Sequence, residues 1–261
     1  MPDFVISVFG LTNNRGLRAP AFNVEYHERD SDVVWEMVFG GSRAYLVRFG
    51  DKLDRDLDEQ AAESHFMVRR FTSSLLLGGA GLFQAEAVGR LMFTDIKSEI
   101  HWTAQLDRKE VAVPKASGEI AAAVLDWYRA ICDHTVLRRA ADDAHLALSN
   151  PREAYIFVYR GLEWLKEGLG DSWEQIARDV GVSLKDLREF KKLANYETGV
   201  RHASKSGQKL RGNAENIAIA VCNLFDAIWA ARKRIEPTWE ASSSKKRSDA
   251  VIKAAILEAY D

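Results

Sequence analysis

The sequence has few cysteines and little net charge, and each scarcity excludes a class of protein. Its 261 residues include two cysteines, Cys132 and Cys222, which lie far apart in the chain. Two such thiols make neither a disulfide framework nor a zinc pattern, which favours a reducing compartment. The net charge of -2 gives no global attraction to nucleic acid or to an anionic membrane. Any such binding must therefore come from a local patch.

Long hydrophobic runs are also missing. The longest apolar stretches, such as residues 74–81, are much shorter than the roughly 20 residues that span a membrane. Residues 1–10 lack the basic and apolar regions of a secretory signal. We therefore expect a cytoplasmic protein without a membrane partner. The histidines show no metal-ligand spacing with Cys132 or with acids, and we expect neither a metal nor a cofactor.

The first part of the chain has the alternating pattern of β-strands. Four segments are rich in β-branched and aromatic residues, namely residues 4–9, 21–27, 33–39 and 43–49. Gly40-Gly41 predicts a hairpin turn between the last two. Residues 53–77 then follow a helical period that Gly78-Gly79 ends, and residues 92–106 return to strand character. The pattern predicts an antiparallel sheet with one helix.

From residue 117 onward the hydrophobic spacing is helical throughout. Helices are predicted at residues 119–133, 138–148, 152–168, 172–180, 183–193, 213–236 and 249–260. We expect an α+β chain in three parts. A mixed β/α domain covers residues 1–116, and a helical domain covers 117–236. A polar linker and a short amphipathic helix, which docks on the body or on a partner, cover 237–261.

Residues 172–188 have the spacing of a helix-turn-helix motif. Ala177 is the small packing residue, Gly181 stands at the turn, and Leu187 lies in the second helix. In a DNA-binding version, the second helix would lie in the major groove. It would offer Lys185, Asp186, Arg188 and Glu189, and its two carboxylates would oppose binding to phosphates. An αα-hairpin that serves the core of the helical domain is the alternative.

A basic segment follows this motif. Residues 185–211 hold eight Lys or Arg and three acids in a chain whose net charge is -2. Glycine and serine in the segment predict a loop before the last long helix, and loops on a rigid frame often carry function. The candidate nucleic-acid-binding residues are Lys191, Lys192, Asn195, Tyr196, Lys205, Lys209 and Arg211.

His202 and Arg201 are the candidate catalytic residues of this segment. Neighbouring positive charge favours the neutral form of His202, which is the form that a general base needs. Arg201 is suited to stabilise a phosphate or an anionic transition state. The alternative is a solvated basic loop whose histidine is hydrogen-bonded to helix ends.

Three segments of residues 136–236 carry a resemblance to a known family, namely residues 137–148 with Asn150-Pro151, residues 154–165 (AYIFVYRGLEWL) and the loop 195–203. On these residues the region resembles a HEPN-type helical domain of the bacterial Apea-like kind. Residues 193–206 also resemble uncharacterised bacterial proteins described as methylamine utilisation protein MauJ. HEPN families are mostly RNA-directed, and their active members are metal-independent ribonucleases. The resemblance implies an RNA- or nucleotide-associated protein.

The chain departs from the signature of active HEPN ribonucleases, which is an arginine and a histidine with four to six residues between them. Ahead of His202, Asn195, Tyr196 and Glu197 stand where that arginine belongs, and Arg201 is adjacent to the histidine. Arg138 and Arg139 have the formal spacing to His145, but they belong to the first helix of the resembling region. Ribonuclease activity is therefore one alternative, and a binding or degenerate role is the other.

Three functions remain open on the sequence alone. The first is an RNA- or nucleotide-associated protein, with or without ribonuclease activity. The second is a non-catalytic scaffold or interaction protein of the methylamine-utilisation accessory type, whose sheet domain and terminal helix bind a protein partner. A homodimer through the long helices is the other possible assembly. The third is a DNA-binding regulator that uses residues 172–193.

Overall fold

A computed structural model describes most of the chain. The described residues are 3–12, 19–27, 34–50, 57–93, 98–102, 118–150, 153–188, 191, 192, 194, 214–240 and 244–260. The chain divides into two compact units. The first consists of Met1–Leu75 and Phe83–Ala122, and the second consists of Leu76–Leu82 and Ala123–Asp261. The chain is therefore α+β, as predicted, with its sheet in the first unit.

The first unit is built on a six-stranded sheet. Its strands are β1 (Asp3–Thr12), β2 (Ala19–His27), β3 (Val34–Gly41), β4 (Arg43–Gly50), β5 (Gln84–Phe93) and β6 (Ser98–Trp102). They lie in the order β2-β3-β4-β1-β5-β6, and each neighbouring pair is antiparallel. The predicted antiparallel sheet is confirmed.

The turn between β3 and β4 lies where the two glycines predict it. Gly41 has a φ of 63°, a left-handed conformation that glycine adopts without a Cβ clash. The Leu11 N–H donates to the Ser42 carbonyl at 2.7 Å and ties the turn to β1. Along β3, buried Met37 and Phe39 alternate with exposed residues, as a sheet with one buried face requires.

Helix α1 covers Leu57–Leu77. Those of its residues that belong to the first unit pack on the buried face of the sheet. The Phe71 ring stacks on Phe39, with an angle of 11° between the ring planes, and meets Phe22 edge-on at 5.3 Å. Ser7 Oγ donates to Ser64 Oγ at 2.9 Å. These side chains are buried, and aromatic pairs of this kind contribute roughly 0.5–1.5 kcal/mol beyond their burial.

The second unit is helical. Its elements are α2 (Gly118–Asp133, which begins in the first unit), α3 (Thr135–Ser149), α4 (Ala154–Gly168), α5 (Trp173–Val180), α6 (Ala214–Ile235) and α7 (Ser244–Tyr260). A short helical segment also covers residues 184–188. The core contains fully buried side chains from most of these helices, for example Leu137, Val158, Ile176, Leu224 and Ile252. None of the described helices is long and apolar enough to cross a membrane.

Two sequence expectations about element bounds are wrong. The strand region expected at residues 92–106 belongs to two antiparallel strands, because β5 runs from Gln84 to Phe93 and β6 covers Ser98–Trp102. The first seven residues of β5, QAEAVGR, are poor in β-branched and aromatic residues, so propensity alone does not predict a strand there. Pairing with β1 across nine positions holds it in the sheet, with a register irregularity at Val8/Phe9.

The second error concerns the expected linker. Residues 244–248 are helical and form the first turn of α7. Ser248 is fully buried, and its Oγ donates to the Leu76 carbonyl at 3.1 Å. Lys245 Nζ lies 2.6 Å from Asp226 Oδ1 on α6. Tertiary contacts therefore order a polar stretch that composition assigns to a linker, and α7 docks on the helical unit itself.

Candidate nucleic-acid interface

Most of the predicted site residues lie outside the described residues. This holds for the candidate catalytic pair, Arg201 and His202, and for the candidate binding residues Asn195, Tyr196, Lys205, Lys209 and Arg211. Lys191 and Lys192 are described. Both are helical and exposed, and they follow α5 and the helical segment 184–188 in the chain. Of the predicted basic segment, the structure therefore describes residues 185–188, 191, 192 and 194.

The helical pair before these lysines is sharply defined. Ser172 caps α5, because its Oγ accepts the Gln175 N–H at 3.2 Å. Gly181 ends α5 with a φ of 69°, and the next N–H, that of Val182, donates to the Ala177 carbonyl at 3.0 Å. Ser183 then caps the second helical segment. The predicted turn at Gly181 is confirmed.

A reciprocal cap holds the start of the second segment. The Asp186 N–H donates to Ser183 Oγ, and the Ser183 N–H donates to Asp186 Oδ2, each at 3.2 Å. The Ser183 hydroxyl also donates to Asp186 Oδ2 at 2.6 Å. These hydrogen bonds, first from the Ser183 side chain and then from its backbone, hold the pKa of Asp186 below its ordinary value. One of the predicted DNA-facing carboxylates is thus a helix cap.

The pair has the buried positions that a helix-turn-helix motif needs. Ala177 and Leu187 are buried in the core of the helical unit, while Lys185 and Arg188 are exposed. Arg234 of α6 also anchors α5, with Nη2 at 2.7 Å from Asp171 Oδ2 and 2.9 Å from Asp179 Oδ2. The geometry therefore suits both a DNA-reading pair and an αα-hairpin of the core.

Lys191 lies beside an aromatic pair that sequence analysis did not single out. Tyr159 on α4 and Trp173 at the start of α5 stack with ring centroids 5.5 Å apart and an angle of 19° between the ring planes. The Lys191 Nζ lies 5.9 Å from the Tyr159 ring centroid, and the Lys166 Nζ lies 5.7 Å from the Trp173 ring centroid. Both rings are partly buried and pack against the helical core. We call these four residues the platform.

The phenol of Tyr159 is held in its neutral form. Burial, followed by the negative charge of Glu163 and a hydrogen bond with it, raises the pKa of Tyr159 to about 12. The hydroxyl therefore keeps its proton throughout the ordinary pH range. The hydrogen bond to Glu163, one turn further along α4, also fixes the orientation of the ring.

The opposite side of α4 carries a second set of cations against aromatic rings. The Arg160 guanidinium carbon lies 5.1 Å from the Phe157 ring centroid, and that of Arg139 on α3 lies 4.2 Å from the Trp164 ring centroid. Helix α4 thus contributes to four cation–aromatic pairs. Each pair of this kind is worth roughly 0.5–1 kcal/mol when exposed.

Arg160 is held by a buried carboxylate. Its Nε donates to both oxygens of Asp143, at 2.9 and 3.0 Å, and its Nη2 donates to Oδ1. The Asp143 side chain is 3% exposed and that of Arg160 is 45% exposed. These hydrogen bonds raise the pKa of Arg160 above its ordinary value. A bidentate pair of this kind presents a guanidinium at the surface in a fixed orientation.

Among the described residues, the acidic and histidine side chains do not assemble into a metal site. The carboxylate of Asp143 binds Arg160. His145, which has the formal motif spacing from Arg139, is buried. Within the described ranges, no three His, Cys, Asp or Glu side chains group closely enough to hold a metal ion.

A further cation is buried near the C-terminal end of α6. Arg232 is 1% exposed and lies between Trp127 and Trp239, with its guanidinium carbon 4.3 and 4.2 Å from the two ring centroids. Its Nη2 lies 2.9 Å from Asp126 Oδ2 and 3.2 Å from Glu236 Oε2. Because this guanidinium is inaccessible, its role is structural: it fixes the segment after α6 to α2.

A signal for the platform does exist in the sequence. Trp173 directly follows the Ser172 cap, and Tyr159 and Lys166 are seven residues apart, on one face of a helix. The signal is weak because scattered aromatics usually belong to the core. Only the packing of α4 on α5 brings the rings together.

Comparison of the chain with protein-family models, with curated protein sequences and with solved structures finds no match. The assignment of the chain to a family therefore rests on its own residues and stays a prediction.

Proposed function

We propose that the protein is an RNA- or nucleotide-associated protein of the HEPN-like kind, and that its helical unit binds the nucleic acid. The observation that carries the proposal is the position of Lys191, an exposed residue of the basic segment, 5.9 Å from the Tyr159 ring centroid. Positive charge beside partly exposed aromatic rings is the combination that binds single-stranded nucleic acid.

The charge of the platform region is modest. Lys166, Lys191 and Lys192 are opposed by Glu163 and Glu167 on α4, and the charge of Arg160 is balanced by Asp143. A few phosphate contacts give weak binding that salt reduces further. The lysines therefore need support from the rings or from the cations of residues 201–211.

The first experiment is a binding titration with a fluorescent single-stranded RNA and a duplex DNA, each at 50 and 200 mM salt. We expect RNA binding that falls about tenfold in a Lys191→Ala/Lys192→Ala variant. The matched control is Lys246→Ala/Lys253→Ala, which removes two exposed lysines from α7. If wild-type protein binds no RNA at 50 mM salt, or if both variants lose the same affinity, the proposal fails.

Ribonuclease activity is proposed only for the Arg201–His202 pair. Neutral His202 would remove a proton from the ribose 2′-hydroxyl while the 2′-oxygen bonds to the adjacent phosphorus. The P–O5′ bond would break to leave a 2′,3′-cyclic phosphate, the departing 5′-oxygen would take a proton from water, and Arg201 would stabilise the negative charge that develops on the phosphate. This chemistry needs no metal. RNA cleavage in EDTA that disappears in His202→Ala supports it, and intact RNA after prolonged incubation makes the protein a binder alone.

A DNA-binding role is the second candidate, because residues 172–188 have the capped turn and the buried positions of a helix-turn-helix motif. Lys185 and Arg188 are its exposed cations. Duplex DNA binding that a Lys185→Ala/Arg188→Ala variant abolishes would favour this role over RNA binding.

A further inference from the structure

We propose that the platform selects unpaired nucleotides, with a base stacking on the Tyr159–Trp173 pair and Lys166 and Lys191 binding the flanking phosphates. The inference rests on the proposed function, since it names the class of nucleic acid that the helical unit binds. It follows from ring geometry, ring accessibility and the positions of the two ammonium groups.

The ring pair has the geometry of an offset stack. The centroids of Tyr159 and Trp173 are 5.5 Å apart, and the planes are 19° from parallel. Both side chains are only partly buried, and their buried portions pack against the helical core. The rings are therefore preorganised, because a base that stacks on them does not have to order two free side chains.

The two lysines lie near the outer limit of a cation–aromatic contact. Their Nζ atoms are 5.7 and 5.9 Å from the ring centroids, and such contacts extend to about 6 Å. A stacked base can displace an ammonium group that is held this loosely. The displaced group stays within reach of the phosphate on the same nucleotide. The platform would thus exchange two weak contacts for one stacked base and two ion pairs.

The ring of Tyr159 is suited to this role at any ordinary pH. Its pKa of about 12, caused first by burial and then by Glu163, keeps the phenol neutral. An ionised phenolate would repel the phosphates beside it. The hydrogen bond with Glu163 occupies the hydroxyl, and the face of the ring that is not stacked on Trp173 would receive the base.

The proposed selectivity has a geometric reason. Bases inside a duplex are already stacked on their neighbours and cannot reach a side-chain ring without unpairing. Unpaired bases of any kind have a free π-face, so binding should tolerate sequence and reject duplex. Because the local charge is small, the rings must supply most of the affinity. A stacked base is worth about five- to hundredfold in binding.

The test compares ring variants on a single-stranded RNA 12-mer and on a duplex RNA with the same number of phosphates. Trp173→Leu keeps an apolar anchor for α5 but removes the ring, whereas Trp173→Phe keeps a smaller ring. We expect Trp173→Leu to bind the single strand about tenfold more weakly. Trp173→Phe should recover most of that loss, and the weak binding of duplex should not change.

Crosslinking provides a measurement that does not depend on a variant folding. A single-stranded RNA carrying 5-iodouridine is irradiated in complex with the wild-type protein, and the crosslinked peptides are identified by mass spectrometry. Crosslinks to Tyr159 or Trp173 support the platform. Crosslinks that occur exclusively elsewhere overturn it.

The two proposals fail in distinguishable ways. If Trp173→Leu binds the single strand as wild type does while Lys191→Ala/Lys192→Ala binds more weakly, the stacking proposal is wrong and the RNA-binding function stands. If wild-type protein binds no RNA, the proposed function is wrong, and the stacking proposal is wrong as well.

Discussion

The guanidinium of Arg232 lies 4.2 Å from the centre of the Trp239 ring and is almost completely shielded from water. The Trp239 indole N–H donates to Asp126 Oδ2 at 2.9 Å, and the same carboxylate oxygen lies 2.9 Å from Arg232 Nη2. Arg232, Trp239 and Asp126 thus form one closed cluster. It joins the end of α6 to α2 across more than 100 residues of sequence.

Truncation of this cluster should destabilise the helical unit. Arg232→Ala is expected to lower the free energy of unfolding by about 3 kcal/mol, because it leaves a cavity between two indoles and removes both ion pairs. Arg232→Met keeps the volume and should lose less than half as much. Urea unfolding followed by circular dichroism at 222 nm measures both. The exposed control, Lys253→Ala, should unfold like wild type; Arg232→Ala doing the same would contradict the cluster.

Because Asp143 and Arg160 form an ion pair, we expect replacing both residues to destabilise the protein less than replacing Arg160 alone. Arg160→Met should cost about 3 kcal/mol, because it removes the guanidinium from a carboxylate that is 3% exposed. The double variant Asp143→Leu/Arg160→Met removes the buried charge as well and should be more stable than Arg160→Met alone. Chemical denaturation of the three proteins gives the comparison. A double variant less stable than either single variant would show that the pair is not a desolvated charge pair.

Glycine in α4 permits close packing of helices. A Cβ at Gly168 would lie 1.7 Å from Val136 Cγ2 on α3, whereas a Cβ at Gly118 would have no neighbour within 4 Å. Gly168→Ala should therefore destabilise the protein by about 1–3 kcal/mol. Gly118→Ala, at the first residue of α2, should be neutral or slightly stabilising because alanine restricts the unfolded chain. Thermal unfolding of the two variants in parallel checks the contrast, and equal melting temperatures would contradict it.

The lowered pKa of His65 should make the stability of the sheet unit depend on pH. Burial, with a smaller contribution from the charge of Arg69, lowers the pKa of His65 below its ordinary value of about 6.5. Between these two pKa values the unfolded chain binds a proton that the folded protein does not, so stability falls as pH falls through that interval. Urea unfolding at pH 7.5 and 5.5 should show a smaller loss in His65→Gln than in wild type. An equal loss in both would show that His65 does not contribute.

Much of the fold can be predicted from the sequence because strand alternation and turn glycines are signals that neighbouring residues carry. The alternation of Trp35, Met37 and Phe39 predicts β3, and Gly40-Gly41 predicts the turn that follows. The start of β5 was missed because QAEAVGR has few β-branched or aromatic residues, and the first turn of α7 was missed because a short polar run such as SKKRS does not by itself distinguish a helix from a linker. Pairing with β1 determines the first, and the buried hydrogen bond of Ser248 determines the second.

The candidate site is less predictable, because its contacts join residues that are distant in sequence. Composition identifies Lys191 as part of a basic segment, and the structure adds the ring that it faces. Arg160 and Asp143 are 17 residues apart on two helices, and no motif connects them. Only helix packing shows which aromatic residues lie at the surface of the core rather than inside it.

The most direct test of the proposed function is the salt dependence of RNA binding by Lys191 of the platform and its neighbour Lys192. For a single strand, the slope of log K against log [salt] changes by about 0.7 for each phosphate contact. If Lys191 and Lys192 each bind a phosphate of a single-stranded RNA, Lys191→Ala/Lys192→Ala should reduce the slope by about 1.4. The control Lys246→Ala/Lys253→Ala should keep the wild-type slope. Equal slopes for wild type and both variants would contradict the assignment of RNA binding to this surface.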